Sequence, residues 1–444
     1  MRHNASVSSS TFKQLFRLFL PTKIIRYWFT LLGPAKRRPP TILPHELIMG
    51  LVFHVLAGAG TLAEHVRQLT GKSITDGALS LRRTGLTWVM FEMILEEALV
   101  PKAQLKQHPE AFYQGLRLCG LDGSQFSVAN TPQVKESLSK AKTRRHKAAF
   151  AKVGVAVLVE LGLHNPIAAA IGPKEESEMV LSRQLLDRLP EKSLLLSDRY
   201  YGHPVLLIEF KETHPEGQRE FLVRVKGKLK RRVLECYPDG SALVEIRSAK
   251  KTMVVREIVG RVRRGNGSWS DVRLWTSLLD WKKHPAGELL ALYAQRWEQE
   301  SFYRELKVDM RSSPLVQSHT PLTAAQEIAA LIMAYAILVK ERIQAAKVGE
   351  VPVLRISFLK TLEAVRGLWQ FLELTHDLLD ARGVRLAILR TMRRIADMAL
   401  PKRRQRSCPR ALRQPVSSWP RLLKNSSVNT PPEYQLTPLT TENA

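Results

Sequence analysis

The stretch Tyr293-Ala-Gln-Arg-Trp-Glu-Gln-Glu-Ser-Phe-Tyr-Arg-Glu-Leu-Lys307 carries the most informative pattern of the chain. At about 100° per residue on a helix, the apolar side chains share one face: Leu292, Phe302, Leu306 and Met310. An adjacent stripe carries five polar side chains: Tyr293, Arg296, Glu300, Arg304 and Lys307. A solvated helix face would explain this stripe, but such faces usually alternate their charges. Here Glu300 lies among basic side chains instead. Such a stripe suits a site in which the basic side chains bind phosphate and the carboxylate binds a metal ion.

Two aspartates follow short apolar runs. Asp122 follows Leu116–Leu121, and Asp198 follows Ser193–Ser197. Such runs predict buried strands, and ligands bind at the ends of strands in an α/β sheet. Taken alone, either aspartate is more typical of a turn or a helix cap.

The region between these aspartates alternates strand and helix patterns. Apolar residues on both sides of a turn predict a hairpin from Gly154–Leu161 and Ile167–Ile171. A helix is predicted for Glu175–Leu189, before Pro190, and the strand Ser193–Ser197 follows it. Strands, hairpin, helix and strand in this order predict an α/β (mixed α+β) fold.

A basic β segment comes next. Residues 220–278 alternate apolar and polar side chains between turns, which predicts antiparallel strands. Residues 224–264 contain 13 Lys and Arg against four acids. Two tryptophans lie in this segment, Trp269 and Trp275, and packing within the strands explains them more simply than a binding role.

Helical spacing appears on both sides of the strands. Three short helices are predicted between Pro44 and Val100, after a loosely ordered arm with one short helix at Phe12–Phe19. In a basic chain, these helices fit a helix-turn-helix-like DNA module and a plain packing domain equally well. Three longer helices are predicted towards the C-terminus: Gly287–Met310, Ala324–Ala346 and Leu359–Leu379.

These patterns divide the chain into six segments. The predicted segments are a basic arm (1–40), a helical N-terminal domain that is the candidate for DNA binding (41–110), a first part of the α/β core (111–213), a β insertion domain (214–284), a second part of the core with the Glu300 helix (285–345) and a helical, basic C-terminal region with a flexible tail (346–444). Residues 382–424 contain 13 Lys and Arg against Asp397 alone.

The charge balance points to a polyanionic partner. The chain has 68 Lys and Arg against 41 Asp and Glu, a formal net charge of +27. DNA is the first candidate, because a duplex carries one phosphate charge about every 1.7 Å, and an anionic membrane surface is the second.

Several classes of protein are disfavoured. The longest apolar runs have about a dozen residues, against about 20 for a spanning helix, and no signal peptide is recognisable. The three cysteines, Cys119, Cys236 and Cys408, lack metal-ligand spacing and predict inert thiols in a reducing cytoplasm. Four histidines share no ligand spacing and are interpreted as incidental: His146, His164, His203 and His214.

One spaced set of residues resembles the Tyr-Arg-Glu-Lys signature of DDE transposases of the bacterial "insertion sequence four" family: Tyr293, Arg296, Glu300 and Lys307. A spaced match of four residues is moderate evidence by itself. The aspartates strengthen it.

The two aspartate motifs resemble the family in sequence and in order. Asp122-Gly123-Ser124 is similar to its first-aspartate motif and Asp198-Arg199 to its second. The resemblance covers roughly residues 41–345, including the basic β insertion. Some relatives cut through a hairpin intermediate and hold a flipped base on a tryptophan of the insertion, but Val272 lies nearer that position here.

The resemblance implies a ribonuclease-H-like catalytic core interrupted by an antiparallel β insertion. Asp122, Asp198 and Glu300 would be the catalytic residues and would hold two Mg²⁺ ions, with Mn²⁺ as a substitute. Carboxylates suit this role, because Mg²⁺ prefers hard oxygen ligands. The nucleophile would be water in the first cut and a 3′-hydroxyl in later steps.

The resemblance also implies the DNA contacts and the partners. Five side chains would contact DNA: Tyr293, Arg296, Lys307, Arg304 and Arg199. The partners would be double-stranded DNA, as the terminal inverted repeats of the element and as target DNA, and a second copy of the chain in a synaptic homodimer. No membrane partner would be expected, and the location would be the bacterial cytoplasm near the nucleoid.

Two other functions remain open at this point. One is a structure-selective DNA nuclease on the same core, which hydrolyses DNA without strand transfer. The other is a catalytically silent DNA-binding relative, such as a repressor. The presence of Asp122, Asp198 and Glu300 disfavours the catalytically silent relative. The extended basic regions disfavour a small nuclease.

Overall fold

The computed structural model describes most of the chain as two compact units. The described residues are 7–34, 40–138, 150–174, 176–213, 218–263, 268–311, 313, 315–375, 377–401 and 434–436. Unit 1 contains Met1–Phe112, Leu121–Arg188 and Glu298–Leu400. Unit 2 contains Tyr113–Gly120, Leu189–Trp297 and Pro401–Ala444.

Fourteen α-helices and several shorter helical turns are present in the described residues. The α-helices are α1 Val7–Phe19, α2 Thr22–Leu32, α3 Pro44–Ala57, α4 Leu62–Thr70, α5 Asp76–Thr84, α6 Trp88–Ala98, α7 Pro132–Ser137, α8 Glu178–Arg183, α9 Pro204–Thr213, α10 Ala286–Leu292, α11 Trp297–Arg304, α12 Pro321–Val348, α13 Phe358–Leu374 and α14 Ala381–Asp397. Four 3₁₀ segments span Pro109–Ala111, Leu186–Arg188, Tyr293–Arg296 and Val353–Arg355, and a π-helix spans Glu305–Asp309.

Twelve strands are present in the same residues. They are β1 Phe112–Tyr113, β2 Leu116–Val128, β3 Ala151–Glu160, β4 Asn165–Gly172, β5 Ser193–Ser197, β6 Arg219–Arg224, β7 Arg232–Cys236, β8 Ala242–Ser248, β9 Lys251–Arg263, β10 Trp269–Thr276, β11 Leu315–Val316 and β12 Tyr434–Leu436. Strand β2 runs through the point at which the two units divide, between Gly120 and Leu121.

In unit 1, β3 and β4 form the predicted hairpin. They pair antiparallel, with Val157 opposite Ala169 and a bulge between Leu158 and Val159. The short strand β11 adds to β2 in parallel, with Leu315 opposite Ser127. The predicted helix Glu175–Leu189 is shorter in the structure, because α8 begins after the Ser177 cap and a 3₁₀ turn replaces its end.

Among the described residues 7–34 of the N-terminal arm, two helices replace the predicted loosely ordered segment with one short helix at Phe12–Phe19. Helices α1 and α2 occupy much of it, and Phe12, Phe16 and Ile25 are buried. The Phe12 ring centroid lies 5.3 Å from that of Trp369 on α13. The apolar side chains of the arm are thus buried against helices that are distant in the sequence. The basic composition of the arm gave no sign of this packing.

Helix α12 is the central helix of unit 1. Its apolar residues continue around the whole circumference, which is typical of a buried helix. By length and composition it could cross a membrane, but 89% of its most apolar window is buried inside the protein. The bent pair α3 and α4 passes the same test only if counted as one span. The buried window of α12 is therefore that of a core helix.

In unit 2, the predicted β insertion continues the sheet. Strand β6 pairs β5 in parallel and β10 antiparallel, and the order then runs β10-β9-β8-β7. Strand β12 pairs β9 antiparallel. All pairings within the predicted segment 220–278 are antiparallel, as expected, and the parallel partner β5 of β6 lies before this segment in the chain.

Candidate active site

Asp122 lies within a strand rather than at its end. Strand β2 continues to Val128, so the end predicted at Leu121 was wrong. The Asp122 side chain is half-buried, and its Oδ1 accepts a hydrogen bond from the Gly123 amide at 2.9 Å. Gly123 and Ser124 continue the strand, with Glu178 packed against Gly123 and Lys307 hydrogen-bonded to Ser124.

The helix that carries Glu300 is tied to the strand that carries Asp122. Tyr303 lies three residues after Glu300 in α11, and its hydroxyl donates to the Asp122 carbonyl oxygen at 2.7 Å. Residues at this spacing share a helix face. Lys307 Nζ donates to Ser124 Oγ at 2.9 Å and to the Gln125 carbonyl oxygen at 2.8 Å. Unit 1 therefore brings together the surroundings of Asp122 and Glu300.

A further carboxylate, Glu178, lies at the Asp122 strand. A Cβ at Gly123 would overlap the Glu178 side chain, which starts α8. Burial, together with the charges of Asp122 and Glu178, raises the pKa of Tyr303 well above its usual value of 10.0. Sequence reasoning missed Glu178, since nothing in its local pattern distinguishes it from other acids in a first helical turn.

Asp198 directly follows β5, as predicted. Its Oδ1 accepts a hydrogen bond from the Tyr200 amide at 2.6 Å, which closes a turn beyond the strand. The Tyr293 hydroxyl donates to the Ser197 carbonyl oxygen at 3.1 Å. Burial raises the pKa of Tyr293 to about 12, so this hydroxyl is protonated at neutral pH. Tyr293 thus supports the backbone at Asp198 within unit 2.

The predicted continuous helix Gly287–Met310 is four successive segments. α10 is followed by the 3₁₀ segment Tyr293–Arg296, then by α11 and by the π-helix Glu305–Asp309. A 3₁₀ residue advances by about a third of a turn, and a π-helix is wider than an α-helix, so the regular stripe predicted from 100° steps was wrong. The apolar face was predicted correctly, since all four of its members are buried: Leu292, Phe302, Leu306 and Met310.

The π-helix coincides with a buried ionic network. His164 is fully buried in the turn between β3 and β4 and has a φ of 55°, in the left-handed region. Its Nε2 lies 2.8 Å from Glu298 Oε2, and its Nδ1 lies 2.9 Å from Glu305 Oε2. The two glutamates flank Glu300 in sequence. His164 therefore holds the Glu300 segment to the β3–β4 hairpin, and its interpretation as incidental was wrong.

Glu305 is the other centre of this network. The Tyr335 hydroxyl donates to its Oε2 at 2.5 Å, and Arg342 Nη1 lies 3.4 Å from its Oε1. Burial opposes ionisation, but the charges of His164 and Arg342 and these hydrogen bonds lower the pKa of Glu305 to about 2. Burial likewise opposes a charge on His164, yet its glutamate partners raise its pKa. We interpret the pair as ionised, with both ring nitrogens donating.

The remaining predicted DNA contacts differ in their surroundings. Arg199 is exposed directly after Asp198. Arg304 is exposed, and its Nη1 lies 3.5 Å from Asp309 Oδ2. The Arg296 guanidinium lies 5.6 Å from the centroid of the Trp297 ring. Lys307 uses ammonium donors for two hydrogen bonds to β2.

Of the other predicted features, the packing role of one tryptophan is confirmed, and several residues lie outside the described part of the chain. Trp275 is fully buried and donates to Glu257 Oε2 at 2.8 Å, which confirms its packing role, whereas Trp269 is 42% exposed. His146, His214, Cys408 and residues 402–433 of the predicted C-terminal tail fall outside the described residues. In the described part of the chain, no group of three His, Cys, Asp or Glu could hold a metal ion.

Comparison with known proteins identifies the family. Residues 114–337, just over half of the chain, match the family described as the transposase DDE domain. The chain belongs to the DDE transposase family. Two curated proteins of Escherichia coli (strain K12) are similar to it. The transposase InsG for insertion sequence element IS4 is 25% identical over 339 residues, which is 72% of each chain. The putative transposase InsZ is 25% identical over 205 residues, 44% of this chain and 66% of that protein.

A solved structure also resembles this one in part. The cryo-EM structure of a piggyBac transposase synaptic complex with hairpin DNA has a TM-score of 0.42 and 11% sequence identity, over 88% of this chain and 85% of that chain. The family match confirms the predicted resemblance to DDE transposases, and the structure has the predicted mixed α/β class. The protein is a transposase, an enzyme that binds and cleaves DNA, transfers strands and uses divalent metal ions.

Proposed function

We propose that Asp122, Asp198 and Glu300 are the catalytic carboxylates of a cut-and-paste transposition reaction. The observation that carries this proposal is the double attachment of the Glu300 segment to β2, through Tyr303 at Asp122 and Lys307 at Gln125. Hydrogen bonds at these points fix the helix against the strand. A carboxylate on each element is then held in place before any ligand arrives, which is what a metal site requires.

The donor chemistry of these residues fits Mg²⁺, with Mn²⁺ as a substitute. Carboxylate oxygens are hard ligands, and Asp122 and Glu300 are half-buried rather than enclosed, which leaves room for water and phosphate. Asp122, Asp198 and Glu300 would hold two such ions, which would supply Lewis-acid chemistry for an in-line displacement at phosphorus. The protein itself then needs no nucleophilic side chain, and water and the 3′-hydroxyl of the cut end serve as nucleophiles.

The signature residues have separate tasks in this proposal. Tyr293 supports the backbone before Asp198, because its buried hydroxyl is already used by Ser197. The two bonds of Lys307 to β2 hold its ammonium charge beside the Asp122 motif, where it attracts a phosphate. Arg296, Arg304 and Arg199 provide guanidinium groups for the strand that is cut, since a guanidinium can bind phosphate oxygens in pairs.

The partners follow from the reaction. Joining two ends of one element requires that both be held at once, so we propose a homodimer acting on two terminal inverted repeats and on target DNA. The excess of cations over acids, +27 in formal charge, suits a protein that contacts several stretches of duplex. The expected location is the bacterial cytoplasm, where this DNA is.

The carboxylates can be tested by isosteric substitution. Asp122→Asn, Asp198→Asn and Glu300→Gln should each abolish Mg²⁺-dependent cleavage of a duplex that contains an element end, while DNA binding by gel shift is retained. Asp187→Asn, at an exposed aspartate, is the matched control and should cleave normally. A substituted protein that cleaves at the wild-type rate would remove that residue from the catalytic set.

A second assay separates transposition from hydrolysis alone. A pre-cut end with a free 3′-hydroxyl is incubated with target plasmid, Mg²⁺ or Mn²⁺ and the intact protein. Joined product that is lost in Glu300→Gln supports strand transfer by this site. Cleavage of random sequence without joined product would favour the structure-selective nuclease instead.

A further inference from the structure

Two glycines on neighbouring strands let helix α8 approach the sheet closely. Strand β3 lies beside β2 in the sheet. A Cβ at Gly154 of β3 would lie 3.2 Å from Leu181 Cδ1, and a Cβ at Gly123 of β2 would lie 2.7 Å from Glu178 Oε2. Glu178 and Leu181 are three residues apart in α8, so they share a helix face. The face of α8 that meets the sheet therefore carries one apolar and one acidic side chain.

The two side chains of this face differ in what explains them. Leu181 is fully buried, and its packing holds α8 on β3. Glu178 is half-buried, and the space that it uses exists only because β2 has a glycine there. Glycine inside a strand often marks the close approach of another group. An interface built for stability alone would favour an apolar side chain at this point, because removing a carboxylate from water is unfavourable.

Glu178 and Asp122 lie against the same residue. Asp122 Oδ1 accepts a hydrogen bond from the Gly123 amide at 2.9 Å, and the Glu178 side chain fills the Cβ space of Gly123. The charges of both carboxylates also reach the Tyr303 hydroxyl, whose pKa is raised by burial and then by these charges. Like charges on neighbouring groups repel, and a cation relieves this repulsion. The pair therefore suits a site that a cation completes.

The role that fits Glu178 is electrostatic. In the described part of the chain, no three acidic, histidine or cysteine side chains are arranged to hold an ion by contact. A group beside the ligands of a metal nevertheless tunes its binding, and substitution of such a group commonly weakens metal affinity by about 10–100-fold. The carboxylate of Glu178, one residue along from Asp122, is placed for this effect.

We propose that Glu178 is a fourth acidic residue of the active site and that its charge strengthens the binding of a divalent cation at Asp122. The inference rests on the proposed catalytic role of Asp122, Asp198 and Glu300. Within unit 1, it adds α8 to the two elements that carry the other acidic residues of the site, β2 and α11.

The test is a titration of the full chain with Mn²⁺ in the absence of DNA, with free Mn²⁺ measured by electron paramagnetic resonance. Glu178→Gln removes the charge and keeps the shape, and it should weaken Mn²⁺ binding by about 10-fold. Glu178→Asp keeps the charge and should bind Mn²⁺ more tightly than Glu178→Gln. The matched control is Glu176→Gln, at a carboxylate that is also half-buried but lies at Gly172 of β4, and it should bind like the wild type.

Three results of this titration would overturn the proposal. They are wild-type affinity in Glu178→Gln, an equal loss in Glu178→Asp and Glu178→Gln, and an equal loss in the Glu176→Gln control.

Urea unfolding with and without Mn²⁺ separates this role from a structural one. An acid in the first turn of a helix stabilises the helix, and loss of that effect would lower the unfolding free energy equally in both conditions. An ion that binds only the folded protein stabilises it according to its affinity. The increase in unfolding free energy on adding Mn²⁺ should therefore be smaller in Glu178→Gln than in the wild type. An equal increase in both proteins would contradict the assignment.

Asp122→Asn in the same titration separates this inference from the proposed function. If Asp122→Asn loses Mn²⁺ binding and Glu178→Gln retains it, the role of Glu178 is wrong and the proposed site stands. If both variants bind Mn²⁺ like the wild type, the proposed metal site is wrong as well.

Discussion

Gly123 is a position where the lack of a side chain lets helix α8 approach strand β2 closely. The strand conformation there is open to any residue, but the space for a Cβ is filled by Glu178. The glycine in the first-aspartate motif is therefore explained by the close approach of α8 to β2. The serine after it is explained by Lys307, which donates to its hydroxyl.

Gly123→Ala should reduce cleavage more than it reduces stability. The new methyl group must displace Glu178, a flexible side chain that can rotate away, so the expected loss of stability is at most about 1 kcal/mol, at the low end for overpacking. Cleavage kinetics and urea unfolding measure the two effects. Gly77→Ala is the control, since its Cβ would meet no neighbouring atom. Full cleavage by Gly123→Ala would show that Glu178 has no role beside Asp122.

His164→Leu should destabilise unit 1 by roughly 3–5 kcal/mol, because it removes one partner of a buried ion pair and leaves Glu305 without it. Chemical unfolding measures this loss. His203→Leu is the control, at a half-buried histidine outside this network. A loss below about 1 kcal/mol would mean that His164 is neutral and merely packed.

At the scale of elements, the Glu300 segment is held at several points. Tyr293 contacts the end of β5, Tyr303 and Lys307 contact β2, and the π-helix is fixed by the Glu305 network. A π-helix is rare and frequently occurs at functional sites. Here it turns Glu305 inward towards Tyr335 and Arg342 while Lys307 still reaches β2.

The pH dependence of stability should reflect this network. Glu305 has a pKa lowered from 4.5 to about 2, so its stabilisation is complete above 4.5 and is lost as the pH falls towards 2. His164 has a raised pKa, so its stabilisation is complete below 6.5 and is lost as the pH rises through the raised value. Wild type should therefore exceed Glu305→Gln in stability most clearly between about pH 4.5 and 6.5.

Urea unfolding of both proteins at a series of pH values tests this expectation. The difference in unfolding free energy should shrink on both sides of that window. A difference that stays constant from pH 7 down to pH 3.5 would exclude a lowered pKa of Glu305 in the folded protein.

At the scale of the whole molecule, charge is unevenly placed. Helix α14 packs Met392 and Ile395 into the core of unit 1 and exposes five arginines: Arg382, Arg385, Arg390, Arg393 and Arg394. The apolar face is therefore structural, and the basic face is free to meet a polyanion. Truncation before this helix would remove packing as well as charge, so substitution is the better test.

Replacing Arg382, Arg385 and Arg393 by Gln should weaken binding to duplex DNA while leaving the unfolding free energy nearly unchanged. Each phosphate that is no longer neutralised lowers the log–log salt slope by about 0.9. Anisotropy at several salt concentrations measures the slope. If the slope stays the same, this face serves solubility or another partner.

The sequence by itself determined the elements whose signals are local. The β3–β4 hairpin, the strand β5 with Asp198 after it and the long helix α12 follow from apolar runs between turn residues, and burial imposes such runs on any sequence that adopts them. The spacing of Tyr293, Arg296, Glu300 and Lys307, together with the two aspartate motifs, indicated the family, and the family match confirms it.

Tertiary structure alone decided the rest. The packing of α1 against α13, the parallel pairing of β5 with β6, and the bridge of His164 to Glu298 and Glu305 join residues far apart in the chain. His164 and Glu305 are 141 residues apart, and nothing near either one distinguishes a buried ion pair from a solvated charge. Local patterns record burial and turns, but which distant side chains meet depends on the packing of the complete chain.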